Sequence, residues 1–139
     1  MFSGCWNLTE APELPATTLA NYCYSFMFQN CTSLTTAPVL SATTLANNCY
    51  YYMFQYCISL TTAPELPAIT LANNCYRSMF QYCLSLNYVK CLATTNITTT
   101  NCNSWLSWVA SEGTFVKASG TTWSSGSSGI PNGWTVEEV

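Results

Sequence analysis

Residues 34–59 read LTTAPVLSATTLANNCYYYMFQYCIS, and residues 60–85 read LTTAPELPAITLANNCYRSMFQYCLS. The two stretches agree at 20 of 26 positions, which is duplication rather than chance. Outward from them the same frame continues: residues 8–33 read LTEAPELPATTLANYCYSFMFQNCTS, and Cys-x-x-Leu recurs at Cys5, Cys31, Cys57 and Cys83, 26 residues apart each time. A second cysteine column, Cys23, Cys49 and Cys75, keeps the same step, as do Met27/Met53/Met79, Phe28/Phe54/Phe80, Leu19/Leu45/Leu71, Pro12/Pro38/Pro64 and Asn21/Asn47/Asn73. A unit this short cannot bury its own apolar face, so neighbouring units must stack and share one core. The expected fold is an α/β solenoid: a leucine-rich-repeat-like stack of strand-turn-short helix coils with a parallel sheet and a C-terminal cap.

Within a coil, Leu34 to Ala37 read as a short extended segment ended by Pro38, which cannot donate to a ladder. Leu45, Cys49, Met53 and Cys57 fall four apart with Ala46, Tyr50 and Phe54 beside them, the spacing of a helix with one buried stripe. Stacked coils set equivalent strand residues about 4.8 Å apart, Thr35 over Thr61 and Thr36 over Thr62. The Asn21/Asn47/Asn73 column is expected to bond both to itself and to turn backbone.

Residues 1–98 form the expected solenoid, an N-terminal half-repeat plus about three full coils and one degenerate coil, and residues 99–139 a capping segment of the same domain. In the degenerate coil Cys102 comes one residue late relative to Cys75. Asn101 to Ser111 read as a last amphipathic helix and Thr114 to Ala118 as a last strand. Ser119 to Gly129 read as a flexible Gly/Ser/Thr segment, with Trp123 and Trp134 covering the final coil. Met1 and Phe2 fall in the columns of Met27 and Phe28, so an upstream piece is expected, as is self-association through the uncapped N-terminal end.

Only 6% of residues are charged, against 49% hydrophobic, and six Glu face just Lys90, Lys117 and Arg77 for a net charge of −3. Such a balance attracts neither nucleic acid nor an anionic membrane. His and Asp are both absent, which removes the usual proton shuttle and its orienting carboxylate. No apolar run reaches the ~18 residues of a membrane span, and no charged segment precedes a hydrophobic one as in a secretion signal. The chain is therefore expected to be no enzyme, to carry no cofactor and to insert in no membrane.

Nine cysteines, an odd number, leave at least one thiol unpaired. The favoured reading is two ladders of small buried hydrophobes. Disulfides remain open, with Cys91 and Cys102, outside the regular columns, the pair to test. Zinc is disfavoured, because His and Cys-x-x-Cys are both lacking.

Columns that vary between copies mark outward positions: Ser25/Tyr51/Arg77, Phe26/Tyr52/Ser78, Asn30/Tyr56/Tyr82 and Thr32/Ile58/Leu84. The candidate binding surface is Tyr51, Tyr52, Tyr56, Arg77 and Tyr82 on the helical side, and Thr35, Thr36, Thr61, Thr62 and Tyr88 on the strand side. Tyrosine beside small polar residues is the composition of binding faces.

Met-Phe-x-x-Cys-x-x-Leu, present four times, resembles the Ala-Phe-x-x-Cys-x-x-Leu pattern of the BspA-like leucine-rich repeat family of bacterial surface proteins. Met replaces the usual Ala, and the unit is slightly longer than the family's common form. The tail from Gly113 to Val136 is similar to the segment that closes many such arrays, including versions on phage-like genes. The resemblance implies a non-enzymatic binding or adhesion module, extracellular or at the cell surface, recognising a protein or glycan. A structural spacer or a phage receptor-binding appendage is the alternative it leaves.

Overall fold

The computed structural model describes residues 1–139 and contains no helix. Three strands of four residues each, β1 (Tyr88–Cys91), β2 (Thr114–Lys117) and β3 (Thr135–Glu138), form one parallel sheet in chain order. Tyr88 stands opposite Thr114, and Thr114 opposite Thr135. Toward the N-terminus the pairing thins to single parallel bridges in three columns: Glu10 with Thr36 and Thr62 with Tyr88, Leu14 with Leu40 and Leu66 with Cys91, Thr18 with Thr44 and Thr70 with Thr95. The reason is proline. Pro12, Pro38 and Pro64 each remove a donor from their copy, and a strand forms in the next copy, whose Tyr88–Cys91 contains no proline.

The expected short helix is replaced by a ribbon of consecutive β-turns. Through residues 20–31, Cys23, Ser25, Met27, Gln29 and Cys31 each donate their N–H to the carbonyl three residues back. Alternate amides point out of the repeat: those of Tyr22, Tyr24, Phe26, Phe28 and Asn30 donate to Asn47, Cys49, Tyr51, Met53 and Gln55 of the next copy at 2.8–3.1 Å. The next copy does the same, Phe54 N–H meeting the Met79 carbonyl at 2.8 Å. Every fourth residue has positive φ: Tyr22, Phe26 and Asn30, then Asn48, Tyr52 and Tyr56, then Asn74, Ser78 and Tyr82. Positive φ at the third position of a turn is the type II form. The turns between them keep both central residues at negative φ.

A helix spends its interior amides within itself, whereas this ribbon keeps half of them for its neighbour and so pairs as a strand does. Its period is four residues, not 3.6. On a helix a strict four-residue spacing drifts by about 40° per step, so the stripe Cys49, Met53, Cys57 would leave the core. Here all three are fully buried. The composition agrees, since Asn, Cys, Tyr and Phe are weak helix formers. Asn48, at φ 57° with no hydrogen bond from its side chain, tests the difference. We expect Asn48→Gly to be neutral or stabilising and Asn48→Ala to cost about 1 kcal/mol. A helix would rank Ala above Asn above Gly, so chemical denaturation of the two variants decides between them.

Like side chains stack on like. Phe2, Phe28, Phe54 and Phe80 lie with ring centroids 5.5–5.6 Å apart, and Tyr24, Tyr50 and Tyr76 with centroids 6.1 Å apart. The thiols of Cys31, Cys57 and Cys83 donate to the carbonyls of Phe2, Phe28 and Phe54 in the preceding copy at 3.0–3.1 Å. Asn21 and Asn47 accept, through their side-chain carbonyls, the backbone N–H of the next copy's Asn47 and Asn73. A glutamine column unforeseen from the sequence forms an amide ladder, Gln29 to Gln55 to Gln81 at 2.6 Å each. Around these lie Leu34, Leu60 and Leu86, all fully buried.

The displaced Cys102 also reads differently in three dimensions. The first half of its copy is one residue short, with Cys91 opposite Leu66 and Thr95 opposite Thr70. The register is restored by residue 101, because the Tyr76 N–H donates to the Asn101 carbonyl just as Tyr50 donates to Cys75. Asn96, at φ 61°, lies in the segment that recovers the residue, its amide donating to the Leu71 carbonyl. Cys102 thus occupies the tyrosine column after Tyr76, and buried Asn101 the cysteine column. Residues 101–108 are turns, not the expected helix.

Residues 119–129 turn back over these turns, the Leu106 N–H reaching the Ser127 carbonyl and the Trp105 indole the Gly129 carbonyl at 2.8 Å. Trp123 stacks on Trp105 at 5.5 Å, and the Trp134 indole donates to Ala110 at 2.8 Å. Gly113 is needed here: a Cβ would stand 2.6 Å from the Asn87 carbonyl and 2.7 Å from the Trp134 ring. On the outer edge Lys117 pairs with Glu138 at 2.9 Å, which holds the Glu138 carboxyl below its usual value.

Candidate binding surface

The outward aromatic side chains project from the positive-φ corners of the type II turns. Tyr56, Tyr82 and Trp108 form one such column, at φ 61–62°. Their rings are parallel within 1°, with centroids 4.6 and 6.1 Å apart. Stacked in this way they cover one another's faces and turn their edges, with the tyrosine hydroxyls, to solvent. Tyr56 is 39% exposed and Trp108 68%. The column beside it holds Phe26 and Tyr52, stacked at 5.3 Å. Tyr51 meets Phe26 edge-on at 5.4 Å and Tyr52 edge-on at 4.3 Å. The Arg77 guanidinium lies 5.8 Å from the Tyr51 ring centre, within cation–π reach. Burial raises the Tyr51 hydroxyl above its usual value; Tyr52 adds to the shift and Arg77 opposes it.

The structure therefore gathers Tyr51, Tyr52 and Arg77 into one cluster with Phe26, and Tyr56 with Tyr82 into a ladder that ends on Trp108. Trp108 stands one period after Tyr82, and only the expectation of a final helix hid it. Two members of the variable columns do not face outward. Ser25 and Ser78 are buried, and the Ser25 hydroxyl donates to the Asn48 carbonyl at 2.7 Å.

On the strand side Thr35, Thr36, Thr61 and Thr62 are exposed and Tyr88 is half-buried in β1. The Thr35 hydroxyl is already engaged with the Thr9 carbonyl at 3.2 Å. Glu10 begins this column and Tyr88 interrupts it before Thr114 and Thr135, so the exposed Thr35/Thr36 and Thr61/Thr62 array spans only two adjacent copies. The aromatic and threonine groups form separate patches. Shallow grooves run beside Pro12, Pro38, Pro64 and exposed Val39, with no convergent donors.

All nine thiols are free, seven of them buried. Burial pushes the Cys49 thiol up to about 11 and Cys91 to about 12, and raises Cys57, Cys75, Cys83 and Cys102 further still. A thiol kept protonated is a poor nucleophile and a poor metal ligand. No group of three Cys or Glu side chains is placed to hold a metal ion, and no helix is long and apolar enough to cross a membrane. The Tyr76 hydroxyl is buried without a partner. Comparison with family models, curated proteins and solved structures returned no match.

Proposed function

We propose that the chain is a leucine-rich-repeat-like solenoid segment, akin to the BspA-like family, that acts as a non-enzymatic binding or adhesion module outside the cell. One observation carries this function. The outward aromatic residues occupy backbone positions where Gly or Asn would sit without strain, whereas an aromatic residue there costs roughly 1 kcal/mol or more. The strain is kept at Phe26, Tyr52, Tyr56, Tyr82 and Trp108, and what it retains is an exposed aromatic stripe. Because the stacked rings present edges and hydroxyls rather than open faces, the stripe suits a protein surface better than the apolar face of a sugar.

The test is an array of purified extracellular-matrix and cell-surface proteins, probed with the full chain and with a variant carrying Tyr56→Asn, Tyr82→Asn and Trp108→Asn. Asn tolerates the backbone, so relief of strain offsets lost stacking and stability stays within about 1 kcal/mol. Binding is expected to fall more than tenfold. Equal binding by both proteins moves the ligand off this stripe, and no ligand for either favours a spacer.

A further inference from the structure

Two further columns of threonine lie apart from the aromatic stripe. Thr18, Thr44, Thr70 and Thr95 form one, all exposed, with parallel bridges between Thr18 and Thr44 and between Thr70 and Thr95. The residue before each supplies the second column: Thr17, Thr43, Ile69 and Thr94, again all exposed. Within the Thr18/Thr44 and Thr70/Thr95 pairs the backbone, not the side chain, holds the rungs together, through Leu19 N–H to the Thr44 carbonyl at 3.2 Å and Leu71 N–H to the Thr95 carbonyl at 3.1 Å. Packing therefore does not require threonine. Some exposed columns elsewhere have drifted between copies, as Glu13/Val39/Glu65 has, while Thr9/Thr35/Thr61 has not. In the Thr18 column threonine persists through four copies, even into the one that has lost a residue, and in its neighbour through all but Ile69. Neither column contains a charge, although exposed sheet positions are where charged residues usually guard against association.

We infer that this face is an ice-adsorption surface. Each threonine offers a hydroxyl that hydrogen-bonds water and a methyl that orders the shell around it. Rungs of a parallel ladder repeat at about 4.8 Å, and hexagonal ice repeats along its a axis at nearly the same interval. Water held on such an array is already spaced like the lattice, so joining the crystal costs little further ordering. Every contact is weak, but all engage together on a rigid frame, so dissociation of the whole is slow. A crystalline polysaccharide is the competing ligand with a regular lattice, but sugar platforms are built on aromatic rings and these columns have none.

The experiment measures thermal hysteresis and ice-recrystallisation inhibition by the full chain, alongside pull-down on powdered cellulose and chitin. The chain is expected to open a measurable gap between freezing and melting and to facet growing crystals. Thr44→Lys should reduce the gap at least tenfold with the protein's own melting temperature unchanged. Trp108→Asn, on the aromatic stripe, should leave the gap intact. If Thr44→Lys weakens the fold, Thr70→Lys in the next rung carries the test. A folded chain with no hysteresis and no recrystallisation inhibition overturns the assignment, as does hysteresis that survives both lysine variants. Thr44-dependent binding to cellulose or chitin without any effect on ice overturns it in favour of the polysaccharide.

Discussion

Leu60→Asp is expected to cost on the order of 4 kcal/mol, lowering the melting temperature by roughly 10 °C or more for a chain of this size. Leu60 is fully buried in the middle of the array, in one column with Leu34 and Leu86. A carboxylate there has no positive partner, since the cations are Arg77, Lys90 and Lys117, of which Lys90 pairs with Glu65 and Lys117 with Glu138. The loss is not confined to one site. In a stack each copy touches only its neighbours, so a broken middle rung separates the halves on either side. Thr61→Asp, one residue on and exposed, is the control, with an expected effect within about 0.5 kcal/mol. Equal melting of the two variants would show that Leu60 lies outside the core.

Alkaline unfolding is the second large effect. The unfolded thiol titrates near 8.5, but burial holds Cys49 to about 11 and Cys91 to about 12, with Cys57, Cys75, Cys83 and Cys102 raised beyond these. Between those limits the unfolded chain has released protons that the folded chain still binds, so stability falls as pH rises. It is fully present below about pH 8.5 and is lost progressively above it, each buried thiol adding a slope of about 1.4 kcal/mol per pH unit. Six such thiols outweigh a typical stability of 5–15 kcal/mol within roughly two pH units. Circular dichroism under reducing conditions is therefore expected to show cooperative unfolding between about pH 9 and 11. Replacing Cys57 by Ala should shift the midpoint upward relative to its own neutral-pH stability. A fold unchanged at pH 12 would mean that the thiol columns are open to water or already bonded.

Much of this architecture was legible in the sequence because its repeats are nearly identical. Like columns such as Phe28/Phe54/Phe80 and Cys31/Cys57/Cys83 could be placed over one another from spacing alone, and the parallel sheet followed. The local structure was harder. A four-residue spacing of buried residues fits a helix over two turns, and what separates a turn ribbon from it is positive φ at Tyr, Phe and Asn, which a side chain's identity does not announce. Strict recurrence of four over three steps, together with so many weak helix formers, was the available clue.

The same ambiguity hides part of the site. Column variation points to Tyr51, Tyr52, Arg77, Tyr56 and Tyr82, whereas a helical reading of residues 101–111 conceals Trp108 as the next member of the Tyr56/Tyr82 column. The exposed threonines from Thr17 to Thr95 carry no such signal, because in copies this alike an unvarying column is core in one place and exposed in another. The slipped Cys102 could not be resolved from spacing, because a one-residue deletion and its recovery leave the overall period intact.

The fold rests on ribbon amides that reach across to the next repeat. Scalar coupling through hydrogen bonds, measured by NMR on labelled protein, observes this directly. The Phe54 amide nitrogen is expected to couple to the carbonyl carbon of Met79, the acceptor at 2.8 Å. Coupling to Tyr50, four residues back, would place a helix there and contradict the fold.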